Sequence, residues 1–319
     1  MPGTAASQCI SGRLCALLFV FLAVTLSVNG CTRRAAEPPK PAPAPTSSSG
    51  VERTVASDDG VAIRYRVLGR GEPALIFIHG WSGDSTYWDA QLDPFSQRYT
   101  VVTLDLAGHG NSGTTRAEWT MDAFGDDVVA VAQQVPNRQL VLVGHSMGGP
   151  VALEAARRLK GRVIGIVGVD TFGNIGLPPA SAQELETRLA PLRRDFPTAM
   201  RDYVTHRFFT PKSDPDLVRR IADDMASEPP GIAIGSLIGL NNMNFSAALG
   251  DISVPIVAIN SDRLPTDVER IRLHAPTFHL KLMPGAGHFL MIEDPVRFNA
   301  LLDETVQELV RRAERKGTS

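Results

Sequence analysis

An α/β fold, a mostly parallel sheet covered by helices, is what this chain of 319 residues predicts, and three observations carry it. From Val51 onward, short β-branched runs alternate with amphipathic helical stretches. The central runs are apolar at nearly every position, as strands buried on both faces are. After Asp170 the alternation stops for about eighty residues that contain no good strand, which marks an all-helical insertion.

The first 31 residues stand apart. Arg13 precedes LCALLFVFLAVTLSV, an apolar run too short for a membrane span and suited to a signal-peptide core. VNGC follows, and a small residue before a cysteine at that place resembles the cleavage box of bacterial lipoproteins. Cys31 is then the expected lipidated first residue of the mature chain; an ordinary signal peptide and an uncleaved anchor are the alternatives. All 3 cysteines precede residue 32, so a mature chain beginning at Cys31 has no disulfide to form. Residues 32–50, TRRAAEPPKPAPAPTSSSG, read as a Pro/Ala/Ser-rich tether. Thr32 after the cysteine, by the same resemblance, points to export and anchoring on the periplasmic side of the envelope, at the outer membrane.

The globular part begins with VERTVAS and VAIRYRVLG joined through DDG, an opening hairpin. ALIFIHG, YTVVTLDL, QLVLVGHS and VIGIVGVD follow as buried strands, with MDAFGDDVVAVAQQV and GGPVALEAARRLKG between them as helices. The helical insertion, residues 172–250, is read as a cap over a core made of 51–171 and 251–319. VPIVAINSD and HLKLMPGAG resume the sheet, and DPVRFNALLDETVQELVRRAER closes the chain as a helix. Lys and Arg number 32 against 34 Asp and Glu, without the basic face that a nucleic-acid partner requires. With no cysteine in the globular part and no metal-ligand spacing, neither metal nor cofactor is expected. Nothing in the sequence fixes the oligomeric state.

Two glycine motifs compete for chemistry. GHGNSG, residues 108–113, fits a dinucleotide fingerprint, but it runs into polar TTRAEWT, where the fingerprint needs a helix. GHSMG, residues 144–148, has a strand before it and a helix after it, the context of a nucleophile elbow at Ser146. The helix start supplies the Met147 N–H as an oxyanion donor, and the loop after ALIFI supplies the Trp81 N–H as a second. His288, in the glycine-containing loop PGAGHF, is the expected general base.

HGW, LDLAGHGNS, GHSMGG and PGAGHF, in this order, resemble the α/β-hydrolase superfamily, specifically its esterase-like branch with a helical cap, over roughly residues 55–312. The resemblance implies an eight-stranded sheet, a triad in chain order Ser, acid, His, and a small-molecule acyl substrate, with a carboxylic ester first. Ester, lactone, thioester and carbon–carbon bonds remain open, and so does a slow or silent member that only binds a small ligand. The acid departs from the family pattern: Leu264 falls where the carboxylate is usual after the seventh strand. Asp262 is the expected acid through a shorter turn, and Asp170, ending VGVD, is the alternative.

Overall fold

The computed structural model describes residues 50–317. The expectations for the signal segment, Cys31 and the tether lie outside the described residues. Among the described residues no helix is long and apolar enough to cross a membrane, and no group of three His, Cys, Asp or Glu side chains is placed to hold a metal ion.

An 8-stranded sheet forms the centre, in the order β1-β2-β4-β3-β5-β6-β7-β8. Its strands are β1 Val51–Ala56, β2 Ala62–Leu68, β3 Ala74–Ile78, β4 Thr100–Leu104, β5 Leu140–His145, β6 Val163–Val169, β7 Ile256–Asn260 and β8 Phe278–Leu282. β1 and β2 form the antiparallel hairpin, and β2 pairs antiparallel with β4. From β4 to β8 every pairing is parallel, so these six strands end on one edge. β3, β4, β5 and β7 are buried at every position because helices cover both faces, which explains their unbroken apolar runs.

The covering helices are α1 Asp89–Ser96, α2 Met121–Gln133, α3 Gly148–Arg158, α9 Val268–Arg272, α10 Leu290–Glu293 and α11 Pro295–Gly317. Thr120 caps α2 by accepting from the Ala123 N–H. α1 runs through Pro94 and follows a short 3-10 turn, Ser85–Trp88, both too short to show a clear apolar period. His279 lies in β8 with an exposed side chain.

Between β6 and β7 stand five helices: α4 Ala182–Arg194, α5 Phe196–Arg207, α6 Pro215–Ala226, α7 Pro230–Asn241 and α8 Phe245–Gly250. Ser181 and Glu184 form a capping box on α4, and Asp195 and Asp214 cap α5 and α6. Their polar starts and proline breaks account for the strandless stretch. α7 seats on the core through Trp81, whose indole N–H donates to the Ala233 carbonyl at 2.8 Å. Trp119 lies directly beneath Gly235 of the same helix.

GHGNSG is a knot of turns rather than a phosphate loop. The buried Asp105 carboxylate accepts from the N–H groups of Ser85 and Asn111, each at 2.9 Å. Asp127, fully buried on α2, accepts two bonds from Arg116, one from Ser57 Oγ and one from the Ala107 N–H. A buried carboxylate needs this many donors to be tolerated, and together they tie the loop to α2.

The seam between cap and core holds another acid, largely buried. Glu228, between α6 and α7, lies 3.9 Å from Nε2 of His109. Burial, together with Asp224 and Asp84, pushes its pKa up to about 8, while burial lowers that of His109 to about 3. The folded chain therefore holds a proton on Glu228 between its ordinary 4.5 and about 8 that the unfolded chain releases. Stability contributed by that proton is fully present below this window and lost as pH rises through it. Glu228→Gln should accordingly leave the melting temperature unchanged at acidic pH and raise it by about 3 °C on the alkaline side of the window, read by thermal denaturation across pH.

Candidate active site

The polar residues singled out in the sequence converge on the edge where the parallel strands end. β5 delivers Ser146 on a turn with φ 50, a left-handed backbone that a side chain occupies only under strain. The turn depends on its two glycines. A Cβ on Gly144 would stand 2.1 Å from the Gly148 carbonyl oxygen, and one on Gly148 would stand 2.4 Å from that of Ile78. Strand, helix and donor loop therefore cross at distances that no larger residue permits.

The elbow peptide is held from β6. The Ser146 N–H donates to the Val169 carbonyl at 2.9 Å, and the Ser146 carbonyl accepts from Thr171 Oγ1 at 2.8 Å and from the Gly149 N–H at 3.0 Å. Met147 stands as N-cap residue of α3 without a side-chain cap bond. The backbone N–H groups of Met147 and Trp81 donate to no carbonyl among the described residues, so the two expected donors are free for an oxyanion. His79, next to the donor loop, is fully buried. Its Nδ1–H donates to the Gly80 carbonyl at 2.8 Å and its Nε2 accepts from the Leu106 N–H at 3.0 Å, so both ring nitrogens are occupied in structural bonds.

His288 stands beside the elbow. Its ring centroid is 4.6 Å from that of His145, the residue preceding Ser146. His145 Nε2–H donates to the His288 carbonyl at 3.0 Å, and burial lowers the His145 pKa to about 3, which keeps it neutral. The His288 N–H donates to the Phe208 carbonyl at 2.6 Å, and the Phe208 ring stacks on the imidazole at 4.3 Å. Glu293 accepts from the N–H groups of Gly287 and Phe289 on either side.

The carboxylate on His288 is that of Asp170, whose Oδ2 lies 2.6 Å from Nδ1. The expectation at Asp262 is corrected here. β7 ends at Asn260, and Ser261 turns its N–H and its hydroxyl onto Asp170 Oδ1, each at 2.9 Å. The chain then carries Asp262 outward, where Oδ1 accepts from the Gly285 N–H at 2.8 Å and pins the turn leading to His288. Asp170 sits at φ 45 just past β6, with its own N–H on the Ile259 carbonyl at 3.0 Å. Burial opposes its ionisation, but the bond and charge of His288 and the two bonds from Ser261 more than offset this and hold its pKa down to about 2.

Ser261 and Thr171 escaped the sequence reading, and Phe208, one of the insertion's aromatic residues that could line an apolar pocket, was not expected on His288. Ser261 and Thr171 directly follow a strand or its terminal acid, and polar residues at strand ends on this edge were the available signal. Phe208 had none, since its role arises from where α5 ends in space. Of the other aromatic and methionine side chains after Asp170, Phe172, Phe196, Phe209 and Met225 are buried, whereas Tyr203 is exposed.

A model of the "Alpha/beta hydrolase family" matches residues 75–301. The chain is 26% identical over 255 residues to 3-oxoadipate enol-lactonase 2 of Acinetobacter baylyi, covering 77% of this chain and 94% of that one. It is 38% identical over 115 residues to the dihydrolipoyllysine-residue acetyltransferase component of an acetoin cleaving system of Cupriavidus necator; that match spans 36% of this chain and only 31% of that protein. A thermophilic esterase from Thermogutta terrifontis superposes with a TM-score of 0.71 at 23% identity, over 81% of this chain and 99% of the esterase, a likeness of fold. With a sheet of this order, a serine on a strained elbow and a family match over most of its length, the chain belongs to the alpha/beta hydrolase family.

Proposed function

We propose that this protein hydrolyses a carboxylic ester or a related acyl substrate such as a lactone, through an acyl-enzyme on Ser146. The observation that carries the reading is the 2.6 Å bond from His288 to an Asp170 that stays ionised at neutral pH, next to a serine raised on a φ 50 turn. The Asp170 bond holds the proton on Nδ1 and leaves Nε2 to act as base. Ser146 Oγ attacks the substrate carbonyl while His288 Nε2 takes the hydroxyl proton. The oxyanion is held by the N–H groups of Trp81 and Met147. Collapse expels the alcohol, which leaves with the proton from His288, and water repeats the attack to release the acid and restore Ser146. Asp170 stabilises the imidazolium formed in each half and keeps its own charge.

The identity to an enol-lactonase supports lactones within the substrate range, since ring opening uses the same serine and oxyanion site. On the sequence of the first 31 residues, we place this activity at the cell envelope, on an exported chain.

Turnover of p-nitrophenyl butyrate and labelling by a fluorophosphonate test the reading: the unaltered chain should do both and Ser146→Ala neither, and an inert, unlabelled wild type overturns it. The acid has its own test. Asp170→Asn should lower kcat by about 10³–10⁴-fold, because Asn cannot stabilise the imidazolium and favours the wrong tautomer. Asp262→Asn keeps an acceptor for the Gly285 N–H and should cost less than about tenfold; steady-state kinetics with both folded variants decides.

A further inference from the structure

Arg263 lies two residues beyond Ser261 and faces two ways. Its Nη1–H donates to the carbonyl of Arg207, the last residue of α5, at 2.6 Å. Its Nη2 stands 3.5 Å from Asp170 Oδ2, the same oxygen that receives His288 Nδ1. The next carbonyl of the cap, that of Phe208, accepts the His288 N–H at 2.6 Å. Two consecutive carbonyls at the end of a cap helix are thus held by the core, one through the guanidinium beside the acid and one through the histidine. The last carbonyls of a helix lack intrahelical donors and carry partial negative charge, so a cation between them and a carboxylate is attracted to both. A guanidinium suits this place because its planar fork reaches two acceptors at once, and a single ammonium does not.

We propose that Arg263 is a positioning residue, tying the end of cap helix α5 to the carboxylate that orients His288, so that the acid–histidine pair takes its working geometry and charge balance only with the cap seated. The role rests on the reading of Ser146, His288 and Asp170 as the catalytic set. The charged and titratable groups around the imidazole are few. Asp170 and Arg263 face it from the strand ends, neutral His145 packs on its ring, and Glu293 binds the flanking N–H groups while also accepting from Ser213 of the cap at 2.7 Å. Arg263 is the cation among them. Its positive charge repels that of the imidazolium formed during the reaction, so removing it changes the balance of charge around the ring. A merely structural residue would not have this effect.

The test uses the full chain and two variants, Arg263→Gln and Arg263→Lys. The rate of Ser146 modification by a fluorophosphonate is followed from roughly pH 5 to 9, and amide exchange is followed over residues 203–209. In Arg263→Gln the acid limb of the modification profile should move up by about one pH unit, and exchange at the end of α5 should quicken about tenfold. Arg263→Lys should return the limb toward its original position while leaving exchange fast, because it restores the charge but not the fork. A uniform fall in rate with the limb in place, or unchanged exchange in both variants, overturns the proposal. A wild type that resists the fluorophosphonate sinks the hydrolase reading instead, and exchange in the milder Arg263→Lys variant then decides whether the tie to the cap exists.

Discussion

β5, the start of α3 and the end of β3 cross so closely that Gly144 and Gly148 leave no room for a single added carbon. Everything at the strand-end edge depends on that crossing. It raises Ser146 into a left-handed conformation, turns the first N–H groups of α3 toward the serine, and brings the loop after β3 alongside. Strain at one residue costs on the order of 1–3 kcal/mol, and the surroundings over-determine it here through three hydrogen bonds at Ser146, its N–H donating to Val169 and its carbonyl accepting from Thr171 and Gly149. The adjacent parallel strands are register-locked, so the elbow cannot relax without breaking the centre of the sheet.

The histidine and its acid are positioned by a different logic. Neither stands in a strand; each lies just beyond one and is fixed by backbone bonds that neighbouring loops supply. Asp170 is anchored through Ile259 and Ser261 of the adjoining strand end, and His288 through His145 and the cap. The base is therefore held partly by the element that covers it, which ties access to the site to the order of the site.

Much of this was legible in the chain. The central strands could be read because double-sided burial leaves an unbroken apolar signature, the outer strands β1, β2 and β8 by their short runs and turn signals, and Ser146, His288 and the donor loop lie just beyond strand ends that such runs delimit. The acid was not, because Asp170 and Asp262 both follow buried strands and the choice between them depends on which way two residues turn after β7. Ser261 settles that turn by bonding Asp170, a contact between positions 91 apart in the chain that no local pattern encodes. Phe208 and Arg263 were illegible for the same reason. Their contacts come from where α5 ends in space, and a phenylalanine just past a cap helix or an arginine in the loop after β7 reads as ordinary core or ordinary surface.

One consequence concerns light rather than chemistry. Of the 3 tryptophans, Trp88 is sealed in the core among Phe77 and Phe298, while Trp81 and Trp119 both lie against α7. The indole of Trp81 is bonded to that helix, and its backbone N–H lies in the donor loop. The chain's intrinsic emission is thereby weighted toward the seam where cap meets core, so lifting α7 changes the polarity around two fluorophores at once and leaves the third as an internal constant.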